Sequence, residues 1–246
     1  MSFRFKQFFI EDSRCAMKVG TDGVLLGAWC PITNHQSQIT NDQSQITNIL
    51  DVGTGSGLIA RMLMQRCPQA QVDAIDIDEA AVAQARENGV NAFCSSLQNW
   101  QTANSQQPIA NSRYDLIVSN PPYFQNSLKN PDKGRQTARH TDTLSYEELI
   151  IHSARLLTNH GQLALILPAE AESEIRQLAA AQNLFPTHIT RVYSKESKPA
   201  RRVLMSFEKS PISNLQFPIS EDSLVLEDEK GGRSAAYSAL CEEFYL

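Results

Sequence analysis

A glycine-rich turn after a short apolar run constrains the fold of this chain more than any other feature of its sequence. The run from residue 48 to 52 (NILDV) leads into Gly53-Thr54-Gly55-Ser56-Gly57, and apolar residues then recur at helical spacing up to Cys67-Pro68. Glycine is needed where the backbone turns sharply and where a ligand approaches it without obstruction by a Cβ atom. The pattern therefore predicts a strand, a ligand-binding turn and a helix, the first unit of an α/β sheet.

Strand and helix patterns continue to alternate along the chain. Further strands are predicted over residues 72–77, 116–118, 162–167, 189–193 and 203–207. Helices are predicted over residues 79–88, from a capping box at Ser145 to about residue 159, and over residues 170–182. Short joints between alternating elements indicate a mostly parallel sheet that is covered by helices on both faces.

Composition excludes several classes of protein. With 246 residues, 41 % apolar residues and 20 % charged residues, the chain is long and apolar enough to bury a core without disulfide or metal staples. Five scattered cysteines, without a Cys-x-x-Cys pair, predict neither disulfides nor a bound metal. No apolar run is long enough for a membrane span, and the N-terminus does not read as a signal peptide, so we expect a cytoplasmic protein and, by default, a monomer. The net charge of −5 argues against a protein that coats nucleic acid.

Two polar stretches interrupt the alternation. In the first, Ile-Thr-Asn recurs every seven residues, at 32, 39 and 46, with too few apolar residues for a coiled coil. The second covers residues 102–112 (TANSQQPIANS). We interpret both as surface loops, and we expect one domain over residues 1–246 with an N-terminal extension (1–30) and a polar repeat loop (31–48).

An acidic residue at the end of the second strand narrows the choice of ligand class. The glycine spacing is Gly-x-Gly-x-Gly, which differs from the Gly-x-Gly-x-x-Gly of dinucleotide binders, and no Walker lysine follows. Asp76 comes 19 residues after Gly57, where a carboxylate can accept hydrogen bonds from both hydroxyls of a ribose. The glycine turn alone leaves NAD and an adenosyl cofactor nearly equal; with Asp76 it predicts a nucleoside-containing ligand at the carboxyl ends of the strands.

A second motif, Asn120-Pro121-Pro122-Tyr123, directly follows the strand at 116–118. The lone pair of an exocyclic amine or an amide nitrogen is delocalised, which makes the nitrogen a poor nucleophile. The Asn120 side-chain oxygen and the Pro121 carbonyl can each accept one of its N–H groups and aim the lone pair at an electrophilic methyl group. The prolines hold this backbone, and the ring of Tyr123 can stack on a planar base. These four residues are our catalytic candidates.

These motifs together resemble the class I S-adenosylmethionine-dependent methyltransferases that modify amino nitrogens. The N-terminal residues 5–9 (FKQFF) and 15–29 (CAMKVGTDGVLLGAW), with the C-terminal residues 201–204 and 237–246, narrow the resemblance. They are similar to the bacterial tRNA (adenine-N6)-methyltransferases that act on adenine 37 of valine tRNA. The resemblance covers nearly the whole chain apart from the two polar loops. It implies a Rossmann-like, seven-stranded, mostly parallel sheet whose last strand is antiparallel, with S-adenosyl-L-methionine as cofactor and tRNA as partner.

The resemblance also implies a set of cofactor-binding residues. The glycine turn would pass under the methionine part of the cofactor, Asp76 would hold the ribose, and residues 18–22 would form a wall. The candidates are Lys18, Thr21, Asp51, Gly53, Gly55, Gly57, Asp76, Ser96, Leu97 and Asn120. Where relatives usually carry an acid against the adenine amine, this chain has Ser95-Ser96-Leu97. Either Ser96 or a backbone group replaces that contact, or the affinity for the cofactor is lower, because a hydroxyl makes a weaker hydrogen bond than a carboxylate.

Two basic segments are candidates for RNA contact despite the acidic total. Residues 129–139 carry four basic residues against one acid, and residues 191–202 carry five against one. If they converge near the pocket, they can bind the phosphates of one RNA loop. The RNA-binding candidates are Lys129, Lys133, Arg135, Arg139, Lys195, Lys198, Arg201 and Arg202.

Three alternatives stay open at the level of sequence. A ribosomal-RNA adenine-N6 methyltransferase would use the same chemistry. A glutamine-N5 methyltransferase of release factors would also do so, although the 47 residues before Asn48 leave little room for a helical substrate domain. A nucleotide-binding module without catalysis would have no need of the amine-orienting motif.

Overall fold

The structure, a computed structural model, describes residues 2–32, 46–103, 114–121, 144–210 and 218–246. Its strands are β1 (Ser2–Arg4), β2 (Phe9–Glu11), β3 (Asn48–Val52), β4 (Gln71–Asp76), β5 (Asn91–Cys94), β6 (Tyr114–Ser119), β7 (Leu157–Pro168), β8 (Leu184–Tyr193), β9 (Ala200–Lys209) and β10 (Ser220–Val225). Its helices are α1 (Thr21–Trp29), α2 (Leu58–Arg66), α3 (Glu79–Glu87), α4 (Leu97–Ala103), α5 (Tyr146–Leu156), α6 (Glu172–Ala180) and α7 (Ala235–Leu240).

Strands β3 to β10 form one sheet in the order β10-β8-β9-β7-β6-β3-β4-β5, and β1 and β2 form a separate antiparallel pair. The pairs from β5 through β4, β3 and β6 to β7 are all parallel, whereas β9 runs antiparallel to both β7 and β8. Because parallel strands end at the same edge, the residues that follow β3, β4, β5 and β6 meet there. The predicted fold class is confirmed.

Helices cover both faces of the sheet because successive residues of its central strands point to opposite sides. Ile49 of β3 and Leu116 of β6 belong to one buried cluster, in which α1, α2 and α3 also pack. Their neighbours Leu50 and Ile117 belong to a second cluster with α4, α5 and α6. The central strands are consequently apolar on both faces, which agrees with the prediction that helices cover both faces of the sheet.

The described structure corrects three predictions of detail. The sheet has eight strands where seven were predicted, because β10 pairs in parallel with β8 at the sheet edge. The antiparallel strand is consequently β9 and not, as was predicted, the last strand. Four of the six β10 residues are polar and four are exposed, so the segment lacks the pattern of a buried strand. The helix predicted to reach about residue 159 ends at Leu156, because Leu157 is fully buried as the first residue of β7 and pairs with Tyr114.

Most of the two predicted polar loops lies outside the described residues, and so do Pro122, Tyr123 and the basic segment 129–139. Among the helices that the structure describes, none combines the length and apolar character that a membrane crossing requires.

Candidate active site

The glycine turn between β3 and α2 has the backbone shape that its residues predicted. Gly53, Gly55 and Gly57 have φ angles of 71°, 54° and 81°, in the left-handed region that side chains disfavour. The N–H groups of Gly53 and Thr54 both donate to the carbonyl of Ile75 in β4. A Cβ atom built on Gly53 or Gly55 would meet no described atom within 4 Å, whereas one on Gly57 would lie 2.7 Å from Val90. The first two glycines therefore leave open space above the turn, and the third permits close packing beneath it.

Asp51 holds the turn from below and does not line the open space. One carboxylate oxygen accepts the Thr54 hydroxyl at 2.7 Å and the Ala60 N–H at 3.2 Å. Complete burial raises the pKa of the Asp51 carboxyl group to about 7. In this position Asp51 joins the end of β3 to the first turn of α2, so its effect on a ligand is indirect.

Asp76, at the end of β4, is bound to the glycine turn. Its Oδ2 accepts the Gly55 N–H at 2.9 Å, and its Oδ1 accepts the Asp78 N–H at 3.0 Å. A carboxylate offers about four acceptor positions, so each oxygen retains acceptor capacity after one bond. Asp76 thus shapes the turn and also presents a carboxylate to the space above it.

That space is a cavity of about 1220 Å³ along the carboxyl edge of the sheet. Its walls come from residues 15–23, from the glycine turn, and from the segments that follow β4, β5 and β6. Nine of the sequence candidates line it: Lys18, Thr21, Gly53, Gly55, Asp76, Ser96, Leu97, Asn120 and Pro121. Asp51 and Gly57 do not. Single-ligand sites typically enclose roughly 300–1,000 Å³, so this cavity has room for a cofactor and part of a second molecule.

Asn120 and Pro121 lie at the β6 end of the cavity. The preceding residue, Ser119, is buried, and its hydroxyl donates to the Val52 carbonyl at 2.9 Å, which ties the end of β6 to the end of β3. The Asn120 side chain is half-buried, and its Nδ2 lies 3.9 Å from the Met17 sulfur. Asn120 and Pro121 both line the cavity. The first half of the predicted motif therefore faces the cavity beside the glycine turn.

Lys18 and Thr21 lie in the wall that the N-terminal segment supplies. The Lys18 ammonium group donates to the carbonyls of Asp12 and Ser13, at 2.8 and 3.1 Å. Lys18 thus stabilises the turn of the chain between Asp12 and Lys18, and Thr21 is the first residue of α1, at the edge of the cavity.

Ser96 and Leu97 form the wall after β5. The Ser96 hydroxyl accepts the Asn99 N–H at 3.3 Å and so caps α4, while Leu97 is buried beneath the surface of the wall. The contact of either residue with a cofactor stays a prediction.

The basic residues near β8 and β9 have acidic neighbours that the local sequence does not reveal. Arg202 donates to Asp22 at 2.8 Å, and Lys195 lies 3.4 Å from Glu227. Lys198 and Arg201 are exposed. The excess of positive charge counted along residues 191–202 is therefore reduced in the folded protein, and RNA contact by these four residues stays a prediction.

The sequence reasoning missed many of the residues that line the cavity, and two of these are exposed apolar side chains. Ile77 follows Asp76 directly and is 58 % exposed although it is apolar. Met17 is 47 % exposed and lies against Asn120, which is 103 residues away in the chain. An apolar residue just beyond a strand end could have indicated Ile77, whereas the sequence carries no comparable indication for Met17.

The residues present fit S-adenosylmethionine. The open space over Gly53 and Gly55 admits a ligand against the backbone, and the Asp76 carboxylate suits a ribose. The fold is shared with a protein from Agrobacterium tumefaciens assigned as an O-methyltransferase, with a TM-score of 0.66, 16 % identity and coverage of 91 % of this chain and 96 % of the other. The fold is that of the class I S-adenosylmethionine-dependent methyltransferases.

Comparison with the sequences of known proteins identifies the family within this class. Residues 37–185 match the family model "Methyltransferase small domain". The tRNA1(Val) (adenine(37)-N6)-methyltransferase of Parabacteroides distasonis is 43 % identical, covering 99 % of this chain and 97 % of the relative. The enzymes of that name from Tolumonas auensis and Trichodesmium erythraeum are 39 % and 40 % identical, with coverage of at least 99 % of this chain and 97 % of each relative. The chain belongs to the family of these tRNA (adenine-N6)-methyltransferases.

Proposed function

We propose that this protein transfers a methyl group from S-adenosylmethionine to the N6 amine of adenine 37 in tRNA1(Val). Similarity to enzymes of that activity extends over the full chain. The observation that carries the chemistry is the position of Asn120 and Pro121 in the cavity wall beside the glycine turn. The proposal keeps the cytoplasmic location predicted from the sequence, since tRNA is a cytoplasmic substrate.

The cofactor supplies an electrophilic methyl group when it is bound. In the proposed arrangement, Asp76 holds its ribose, and the glycine turn, braced by Asp51, lets it lie against the backbone. Asp76 would thus hold the nucleoside end of the cofactor at the carboxyl end of β4. The adenosyl part of the cofactor is thereby kept away from the β6 end of the cavity, where the substrate enters.

Asn120 and Pro121 hold the substrate nitrogen. The target adenine leaves its stack to enter the cavity, as base-modifying enzymes require. The Asn120 side-chain oxygen and the Pro121 carbonyl each accept one N–H of the amine, which directs its lone pair toward the methyl group. No strong general base is required, because the nitrogen loses its proton after it has become positively charged. Stacking of the base on Tyr123 belongs to the same proposal.

Labelled S-adenosylmethionine tests the function directly. The protein is incubated with tRNA1(Val), with the same tRNA carrying guanine at position 37, with ribosomal RNA and with a release factor. We expect label only in the first, released as N6-methyladenosine on digestion. Label in ribosomal RNA or in release factor would replace the proposal by one of the two alternative enzymes. Absence of label from every substrate would favour a binding module.

Replacing Asn120 by Ala tests the chemical step. We expect turnover to fall about 100-fold or more, the usual effect of removing a polar group that acts in the transition state. The calorimetric Kd for S-adenosylmethionine should remain close to that of the wild type. Asn120→Asp is the matched variant: it keeps an acceptor oxygen and should retain more turnover than Asn120→Ala. Near-normal turnover in Asn120→Ala would remove the assigned role.

A further inference from the structure

Met17 is an apolar side chain exposed at the reacting end of the cavity. Its side chain is 47 % exposed and lies in the cavity wall with Asn120 and Pro121. Phe9, in the same N-terminal region, is 62 % exposed but does not line the cavity. Single exposed apolar residues are common on protein surfaces. One that contacts the predicted amine-orienting residue inside a binding cavity is a candidate for substrate contact.

Hydrogen bonds hold the segment that carries Met17 in one shape. The buried Asp12 carboxylate accepts the Val19 N–H at 2.9 Å, and the Asp12 carbonyl accepts both the Cys15 N–H and the Lys18 ammonium group. These bonds close the chain on both sides of Met17. The backbone that carries the thioether is therefore held at the cavity before any ligand arrives, which reduces the entropy that binding must overcome.

The position of Met17 along the sheet separates it from the nucleoside end of the cofactor. Its sulfur lies 3.9 Å from Nδ2 of Asn120, at the end of β6. The proposed ribose acceptor, Asp76, ends β4, and β3 lies between these two strands. Two strand spacings amount to about 10 Å. Met17 therefore lies where the substrate amine must be, and away from the proposed ribose site.

We propose that Met17 is a specificity-determining residue that forms one wall of the slot for the target adenine. The inference rests on the proposed function and deepens it. A purine whose amine is bound by Asn120 and Pro121 brings its ring close to the adjacent thioether. The flexible and polarisable methionine side chain packs well against such a flat aromatic surface.

Two substitutions separate this contact from a structural role. Met17→Ala removes the wall, Met17→Leu keeps an apolar side chain of similar size, and Phe9→Ala is the control outside the cavity. For Met17→Ala we expect kcat/KM for tRNA1(Val) to fall about tenfold, the upper range for sulfur–aromatic contacts. Met17→Leu should recover most of this loss. The calorimetric Kd for S-adenosylmethionine and the melting temperature should stay at wild-type values in all three variants.

A tRNA that lacks the base at position 37 provides a readout independent of turnover. The wild type should bind tRNA1(Val) more tightly than Met17→Ala does, and the two proteins should bind the abasic tRNA equally. Unchanged kcat/KM in Met17→Ala, or equal weakening on both tRNAs, would overturn the inference, and so would a parallel loss of cofactor affinity. Failure of the wild type to methylate tRNA1(Val) would instead overturn the proposed function, and the Met17 inference with it.

Discussion

Replacing Asp76 by Ala should raise the Kd for the cofactor about 100-fold. The free energy of unfolding should fall by less than the free energy of binding does. The carboxylate accepts backbone N–H groups of Gly55 and Asp78, and we expect it to accept two ribose hydroxyls as well. A hydrogen bond to a charged group contributes about 1.5–3 kcal/mol, and the half-buried position of Asp76 favours the lower value. Two lost ribose bonds then amount to about 3 kcal/mol, which corresponds to roughly 100-fold in Kd.

The cost to the fold has a different origin. The Asp78 N–H is exposed and can bond to water when the carboxylate is removed, whereas the Gly55 N–H is partly buried. We therefore expect a loss of about 1–2 kcal/mol in the free energy of unfolding, mostly from Gly55. Denaturant unfolding measures this loss, and calorimetry with S-adenosylmethionine measures the Kd.

Asp228 supplies a matched control. Its carboxylate also accepts two backbone N–H groups, those of Lys230 and Gly232, at 2.9 and 2.8 Å, in a turn that does not line the cavity. Asp228→Ala should destabilise its turn and leave the Kd unchanged. A Kd of Asp76→Ala for S-adenosylmethionine within about threefold of the wild type would mean that less than 1 kcal/mol of binding free energy is lost. That result would refute the assignment of Asp76 to the ribose.

Three further predictions concern the turn, the pH dependence of stability and the RNA. In Gly57→Ala the residue keeps a φ of 81°, and its Cβ would lie 2.7 Å from Val90, so we expect the free energy of unfolding to fall by about 2–4 kcal/mol. Val90→Ala should recover part of this loss. An unchanged free energy of unfolding in denaturant would contradict the close packing. Asp51 keeps its proton to about pH 7 in the folded protein but loses it near pH 4 when unfolded, so stability should fall as pH rises through this window, by roughly 4 kcal/mol at most. Asp51→Asn should flatten that slope in unfolding curves between pH 4 and 8, and an equally steep slope in the variant would assign it to other groups. Charge reversal at Lys198 and Arg201 should weaken tRNA binding and lower its salt dependence by about one counterion per residue, whereas binding identical to wild type at every salt concentration would exclude contact.

The sequence predicted the part of the site that follows from strand order alone. The glycine turn, Asp76 and Asn120 each come directly after an apolar run, and parallel strands bring such positions to one edge of a sheet. That reasoning needs only local patterns and one rule of topology. It located the residues at the carboxyl ends of β3, β4 and β6 before any contact between them was known.

Contacts between distant segments were beyond the reach of local patterns. Met17 and Asn120 are 103 residues apart, and the partners of Arg202 and Lys195 are Asp22 and Glu227. A charge count along residues 191–202 includes neither acid, so it overstated the positive charge there.

The limits of the two kinds of information have a common physical reason. Backbone sterics and burial act on every residue in its own neighbourhood, and they impose the apolar periodicity and the placement of glycines. The sequence by itself therefore determined the fold class, the glycine turn and the order in which the site residues follow one another along the chain. The polar strand β10 has no such pattern, and it forms because the edge of β8 offers it hydrogen bonds. Only the tertiary structure decided that strand, the role of Asp51 beneath the turn, and the position of the Met17 thioether in the cavity wall beside Asn120.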